Sequence, residues 1–183
     1  MLTSGIVVIL LMTPTLLQRS FGLPARTIQW ANFAACAIGP ISTAAVGAAT
    51  DRFGIRRVAL PALLLMSGAM YALYMGVGRT PEFLLPLYML VGIGTGAVVL
   101  APIIMIRAFP PPVRFSGVSV SYNLGNAVFG GLAPAVVSWL SHLSPLGPAH
   151  YVAFTTALGA MSLLILRSGT GPTRIFKEVA VES

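Results

Sequence analysis

Asn123 and Asn126 stand three residues apart in an apolar stretch, and Gln29 and Asn32 repeat that spacing nearer the N-terminus. On a helix, residues three apart are neighbours, so each pair presents both amides on one face. Tyr122 directly precedes the first pair, and Thr43 lies three turns beyond the second. An amide carries an acceptor oxygen and a two-proton donor, which suits it either to a passing polar solute or to a hydrogen bond with the next helix. Asn32, Tyr122, Asn123 and Asn126 are therefore candidates for lining a substrate path, and interhelical hydrogen bonding is the alternative for the same residues. For Gln29, close to the start of its run, the second reading fits better.

Groups that do harder chemistry are scarce and scattered. Of the four acids, Asp51 and Glu82 fall between apolar runs and Glu178 and Glu182 in the C-terminal tail. No carboxylate is left within a run to carry a proton at a membrane centre. His142 and His150 fall in the connection between the last two runs and read as solvated loop residues rather than proton carriers. Cys36 has no second cysteine to pair with and reads as small apolar packing. No cluster of Cys, His and acids has metal-ligand spacing, and no Gly-rich loop is followed by the Lys-Ser/Thr that would hold phosphates. An enzyme would need acids, histidines or a nucleophile to converge, and none do, so no catalytic residue, metal or cofactor is expected. Gly92, Gly94 and Gly96, inside an apolar run, read as a small-residue face for close helix packing. Gly125, Gly130 and Gly131 read the same way, and Pro61, Pro86, Pro102 and Pro134 as kinks.

Lipid must surround the elements that carry these residues. The chain is 56% hydrophobic and 8% charged, with a mean hydropathy of +0.89, too few charges to cover a soluble domain. Runs long enough to cross a hydrocarbon core, about 20 residues each as helix, lie near 2–18, 27–49, 58–77, 83–106, 115–140 and 149–166. No stretch alternates with the period of two that a barrel strand requires, and a spanning backbone must satisfy its own hydrogen bonds, so the fold class is an all-α membrane protein with six transmembrane helices in one bundle. The long fifth run has room for an interfacial turn. Pro14 and the polar Gln18-Arg19-Ser20 cut the first run to barely a span. Met1 already lies in an apolar run without the basic stretch and cleavage site of a signal peptide, and the expectation is that preceding sequence is missing.

Charge assigns the sides. If the connections alternate across the membrane, one side holds Arg52, Arg56, Arg57, Arg107, Arg114, Arg167, Arg174 and Lys177, and the other only Arg19, Arg26 and Arg79. This positive-inside bias predicts that the 47–57 loop, the 107–114 loop, the 167–183 tail and both chain ends are cytoplasmic. The net charge of +7 reads as topology and contact with anionic headgroups. Cations at several separate helix ends form no single stripe for nucleic acid, so none is expected as a partner.

Two stretches carry a resemblance. Gly47, Asp51-Arg52, Gly54 and Arg56-Arg57 resemble the cytoplasmic loop motif G-x-x-x-D-R-x-G-R-R of the major facilitator superfamily, with Ile55 where the family often has its first basic residue. Phe109-Pro110, Val113-Arg114-Phe115-Ser116-Gly117, Tyr122-Asn123, Gly130-Gly131 and Pro134 resemble helix 11 and its approach in the metabolite:proton symporter branch. Arg107 departs from that pattern, standing where relatives often carry an acid, which puts local acid-base pairing in doubt.

The resemblance implies helices 7 to 12, the C-terminal six-helix half of a twelve-helix secondary transporter whose substrate site lies between two bundles. It implies a small metabolite as substrate, an organic acid or a zwitterion, and protons as coupling ion in the full-length parent. A proton carrier would then lie in the missing N-terminal half. Asp51 would accept hydrogen bonds from the free amides of a neighbouring helix end, with Arg52 or Arg56 pairing alongside, as a latch that opens and closes with the cytoplasmic side. Gly47 would let two helices approach closely, and Gly54 would turn at positive φ. The expected partners are the lipid bilayer of a bacterial inner membrane, the substrate, and either the missing bundle or a second copy. The alternative is a self-contained six-helix protein, a homodimeric transporter or non-catalytic scaffold.

Overall fold

A computed structural model describes residues 2–168. The tail residues Arg174, Lys177, Glu178 and Glu182 lie outside them, as do the side chains of Arg107 and Arg167. Every regular element is helical among the described residues.

We number the helical rods α1 to α6. The first, α1, runs as Leu2–Ile6, a π-helical turn Val7–Met12, and Thr13–Phe21. The second and third, α2 (Ala25–Phe53) and α3 (Ile55–Arg79), are uninterrupted α-helices. The fourth, α4, begins with a 3-10 turn at Pro81–Phe83, continues as Leu84–Gly94, tightens to 3-10 at Thr95–Val99 and ends as Leu100–Ala108. The fifth, α5, opens at Pro111–Val113 and runs through Arg114–Gly125, a π-helical turn Asn126–Gly130 and Gly131–Leu143. The last, α6, is Gly147–Ser168. Five of them, α1 to α5, are long and apolar enough to cross a membrane among the described residues.

The core sits where α4 wedges between α2 and α3. A Cβ added to Gly92 would stand 2.8 Å from the Cα of Ala35, and one on Gly94 would stand 2.9 Å from the Cα of Met66. Gly96 lies against Ser42 just as tightly. The glycine face expected of residues 92–96 is thus two faces, since Gly92 and Gly96 admit α2 while Gly94 admits α3. Tyr88, Met66, Met70, Leu73, Leu17 and Ile28 fill the space around the crossing, all but fully buried. The other flank of α3 packs on α6, which also holds α5. Only 11% of the most apolar stretch of α5 is buried, against 39% for α3 and for α4. That helix lies at the edge of the bundle.

Several sequence readings need correction. A Cβ on Gly47 or Gly131 would meet nothing within 4 Å, and one on Gly130 only the Ser4 Cβ at 3.9 Å. Among the described residues Gly47 and Gly131 mediate no close packing, and Gly130 meets Ser4 of α1 only at ordinary contact distance. Cys36 is exposed rather than packed inside. The first rod has a π turn just before Pro14 and runs through the proline to Phe21. Pro61 lies within unbroken α-helix. The 47–57 stretch is mostly helix, with Gly47, Asp51 and Arg52 inside α2 and a single residue, Gly54, between α2 and α3. Gly54 has φ 84° and ψ 146°, close to a region that only glycine occupies readily. Its N–H closes α2 on the Thr50 carbonyl, and its own carbonyl accepts from Arg57 and Val58 to open α3.

Candidate functional site

A groove of about 610 Å³ runs along the exposed side of α5, lined by Ile106, Pro111, Arg114, Phe115, Val118, Ser119, Tyr122 and Asn123. Ser119 stands three and four residues before Tyr122 and Asn123, so α5 presents these three on one face, with Arg114 at the start of the helix lining the groove as well. The Asn123 amide reaches back to the Ser119 Oγ at 3.5 Å, a long contact that leaves most of its hydrogen-bonding capacity free. Apolar Phe115, 89% exposed, flanks the stripe. The sequence missed Ser119, although its place four residues before Asn123 on the same face was a signal.

Local chemistry holds the groove's mouth. Arg114 donates from Nε to the Phe109 carbonyl at 3.2 Å, a group that Pro110 and the break after Ala108 leave outside any helix. The Phe109 ring lies over Gly117, where an added Cβ would stand 2.5 Å from it. The Phe-Pro, Arg and Gly of the helix 11 pattern thus form a single staple that fixes how α5 starts. One edge of the Arg114 guanidinium is committed to that staple. Arg114 also lines the groove, where a guanidinium can take a carboxylate.

The other candidate residues do not join this groove. Asn126 sits in the π turn of α5 and accepts from Thr3 Oγ1 of α1 at 2.5 Å. Asn32 donates from Nδ2 to the Leu10 carbonyl of α1 at 3.2 Å. The reason lies in the sequence of α1: the α-helical donor to Leu10 would be residue 14, a proline without an N–H. Thr13 Oγ1 turns back to the Val8 carbonyl at 2.9 Å in the same turn. Both asparagines are engaged in interhelical hydrogen bonds here, while the Asn32 Oδ1 is buried without a partner. Of the four residues read as path-lining, the structure brings Tyr122 and Asn123 together with Arg114.

His150 is not a free loop residue. It lies in the first turn of α6, with Nδ1 2.7 Å from the Tyr71 hydroxyl of α3 and the two rings packed edge to face. The loop motif is exposed throughout Asp51, Arg52, Gly54, Arg56 and Arg57. Asp51 has no hydrogen bond or ion pair with any described residue, and the Arg52 guanidinium rests 5.4 Å from the Phe53 ring centre. Among the described residues no group of His, Cys, Asp and Glu could hold a metal ion.

A model of the Major Facilitator Superfamily matches residues 1–180; the chain belongs to that family. It is 31% identical over 92% of its length to the ectoine/proline transporter ProP of Corynebacterium glutamicum, of which it covers 36%. It is 29% identical over 66% of its length to the citrate-proton symporter of Klebsiella pneumoniae, covering 28% of that protein. Against the inner membrane metabolite transport protein YhjE of Escherichia coli it is 26% identical over 79% of its length, covering 34%. The chain spans about a third of each of these relatives, all named as transporters and none as an enzyme. No solved structure matches it.

Proposed function

We propose that the chain is the C-terminal six-helix half of a secondary transporter for a small organic acid or zwitterion, with α1 to α6 as its helices 7 to 12 and α5 facing the other half. The observation that carries this reading is the coincidence on α5 of three things: the polar stripe Arg114-Ser119-Tyr122-Asn123, the helix 11 pattern, and a side left bare by the rest of the bundle. The substrates in the relatives' names, ectoine, proline and citrate, all carry a carboxylate, and the groove offers a guanidinium, two hydroxyls and an amide. Arg114 draws the carboxylate at the cytoplasmic mouth, while Tyr122 and Asn123 line the way toward the membrane middle. Coupling to protons takes place through groups of the other half, since the acids Asp51 and Glu82 lie at helix ends.

Orientation follows from charge and aromatics. Trp30 and Trp139 are both largely exposed near one end of the bundle, at the start of α2 and the end of α5, the place of an interfacial aromatic belt. Arg52, Arg56, Arg57 and Arg114 cluster at the opposite end, which is cytoplasmic in a bacterial inner membrane, and both termini lie on that side. There Asp51 waits for the amides of a helix end in the other half. The test is thiol accessibility in the full-length protein. With Cys36→Ser as background, Ser119→Cys and Asn123→Cys should react with a charged, water-soluble thiol reagent and be protected by the substrate. Ala62→Cys, buried in α3, should do neither. Equal inertness at all three positions contradicts the path.

A further inference from the structure

Among the described residues, departures from α-helix in mid-span are confined to three rods: the π turn of α1, the 3-10 segment of α4 and the π turn of α5. The regular stretch Leu2–Ile6 of α1 packs on both the 3-10 segment of α4 and the π turn of α5, and the π turn of α1 lies against Gly131–Leu143 of α5. The uninterrupted helices α2 and α6 send polar side chains to these three rods. Asn32 of α2 donates to the Leu10 carbonyl inside the α1 turn at 3.2 Å. Ser42 of α2 donates to the Ile93 carbonyl, two residues before the α4 segment, at 2.5 Å. Tyr151 of α6 donates to the Phe129 carbonyl inside the α5 turn at 2.5 Å. In α1 and α5 a proline follows the wide turn closely, Pro14 and Pro134. Pro14 removes the α-register donor for Leu10, and Pro134 removes that for Gly130, the residue after Phe129.

We propose that Asn32, Ser42 and Tyr151 are positioning residues that clip three bendable helices, α1, α4 and α5, to the rigid helices α2 and α6. Each clip adds a side-chain donor to a carbonyl in or beside an irregular turn, and at Leu10 it stands in for the α-register donor that Pro14 lacks, so it fixes one degree of bend. In a low-dielectric interior an unsatisfied carbonyl is costly, so a helix that straightens or bends further must either keep its clip or find another donor. The side-chain bond is the part that can be exchanged. Mid-helix π and 3-10 segments occur at functional sites and hinges for this reason. The use of the clips in transport rests on the reading above; their existence does not.

The test is a double-mutant cycle on chain 1–183 in lipid nanodiscs, read by hydrogen exchange of the segment 8–21. Asn32→Leu removes the donor while Leu10 still lacks an N–H from residue 14, and exchange there should rise about tenfold, the scale of one lost hydrogen bond. In a Pro14→Ala background residue 14 supplies the N–H, and the same Asn32→Leu change should alter exchange less than about twofold. Equal effects in both backgrounds, or none in either, would overturn the clip. Tyr151→Phe removes a single hydroxyl and keeps the fold, so it serves as a second probe: exchange in 127–134 should rise while 8–21 stays unchanged, and an unmoved 127–134 counts against the proposal. In the full-length protein the same variants should change turnover more than KM for proline. If exchange responds and uptake does not, the clips stand and the transport reading fails.

Discussion

Glycine is used in this chain for two different physical purposes, and its residues separate by what a methyl group would touch. At Gly96 an added Cβ meets the side chain and backbone of Ser42 in the neighbouring helix. Backbone cannot swing aside, so Gly96→Ala should cost about 1–3 kcal/mol as overpacking and lower the melting temperature of the purified chain. Gly131→Ala, with nothing in reach, should leave the isolated chain unchanged or gain the roughly 0.5–1 kcal/mol by which Ala exceeds Gly in a helix. Gly54→Ala has open space and still should destabilise by about 1–3 kcal/mol, because the cost is the backbone conformation. A melt series of the three variants checks all three outcomes. The sequence carried the first class through its spacing, since glycines at 92, 94 and 96 within an apolar run have few other uses. It did not carry the difference between Gly96 and Gly131, which depends on which face of each helix meets a neighbour.

At the scale of elements, prolines and their compensating donors decide which helices are regular. Pro61 sits in α3 without interrupting it, whereas Pro14 and Pro134 each follow a wide turn. The local sequence around Pro14 does not show how the first rod passes the proline, because the donor that reaches the Leu10 carbonyl, Asn32, is 22 residues away. Long-range satisfaction of a backbone group leaves no local sequence mark. The same holds for Asn32 and Asn126, whose types announced buried polar chemistry but whose partners in α1 could not be told from substrate. The start of α5 was more legible: Phe109, Arg114 and Gly117 are local in sequence, and their staple can be argued from spacing once Arg114 is seen to bond the Phe109 carbonyl. Gly117→Val should eject the Phe109 ring, loosening the α4–α5 connection. Limited proteolysis near residues 109–113 should then proceed at least several-fold faster, while the α2–α4 core melts as before.

The bundle as a whole is asymmetric: α3 and α4 are buried on several sides, and α5 offers a polar stripe to no partner within the chain. Asp51 stands exposed at one end with its arginines and has no hydrogen bond or ion pair among the described residues. Both features make sense if a second bundle completes the structure. In a full-length parent Asp51→Asn should slow transport severalfold, on the scale of about 1–2 kcal/mol for a charge-assisted contact at a helix end, with expression little changed; uptake and membrane abundance measured together decide this. The central claim is that this chain supplies one wall of a carboxylate path and moves no solute alone, because alternating access needs one bundle to rock against another. The direct measurement is uptake of labelled proline or citrate, driven by an imposed proton gradient, into vesicles holding either chain 1–183 alone or the chain joined to the N-terminal half of the Corynebacterium glutamicum relative. Accumulation with the joined protein and none above empty vesicles with the chain alone is the expected result; gradient-driven accumulation by chain 1–183 alone would contradict the account.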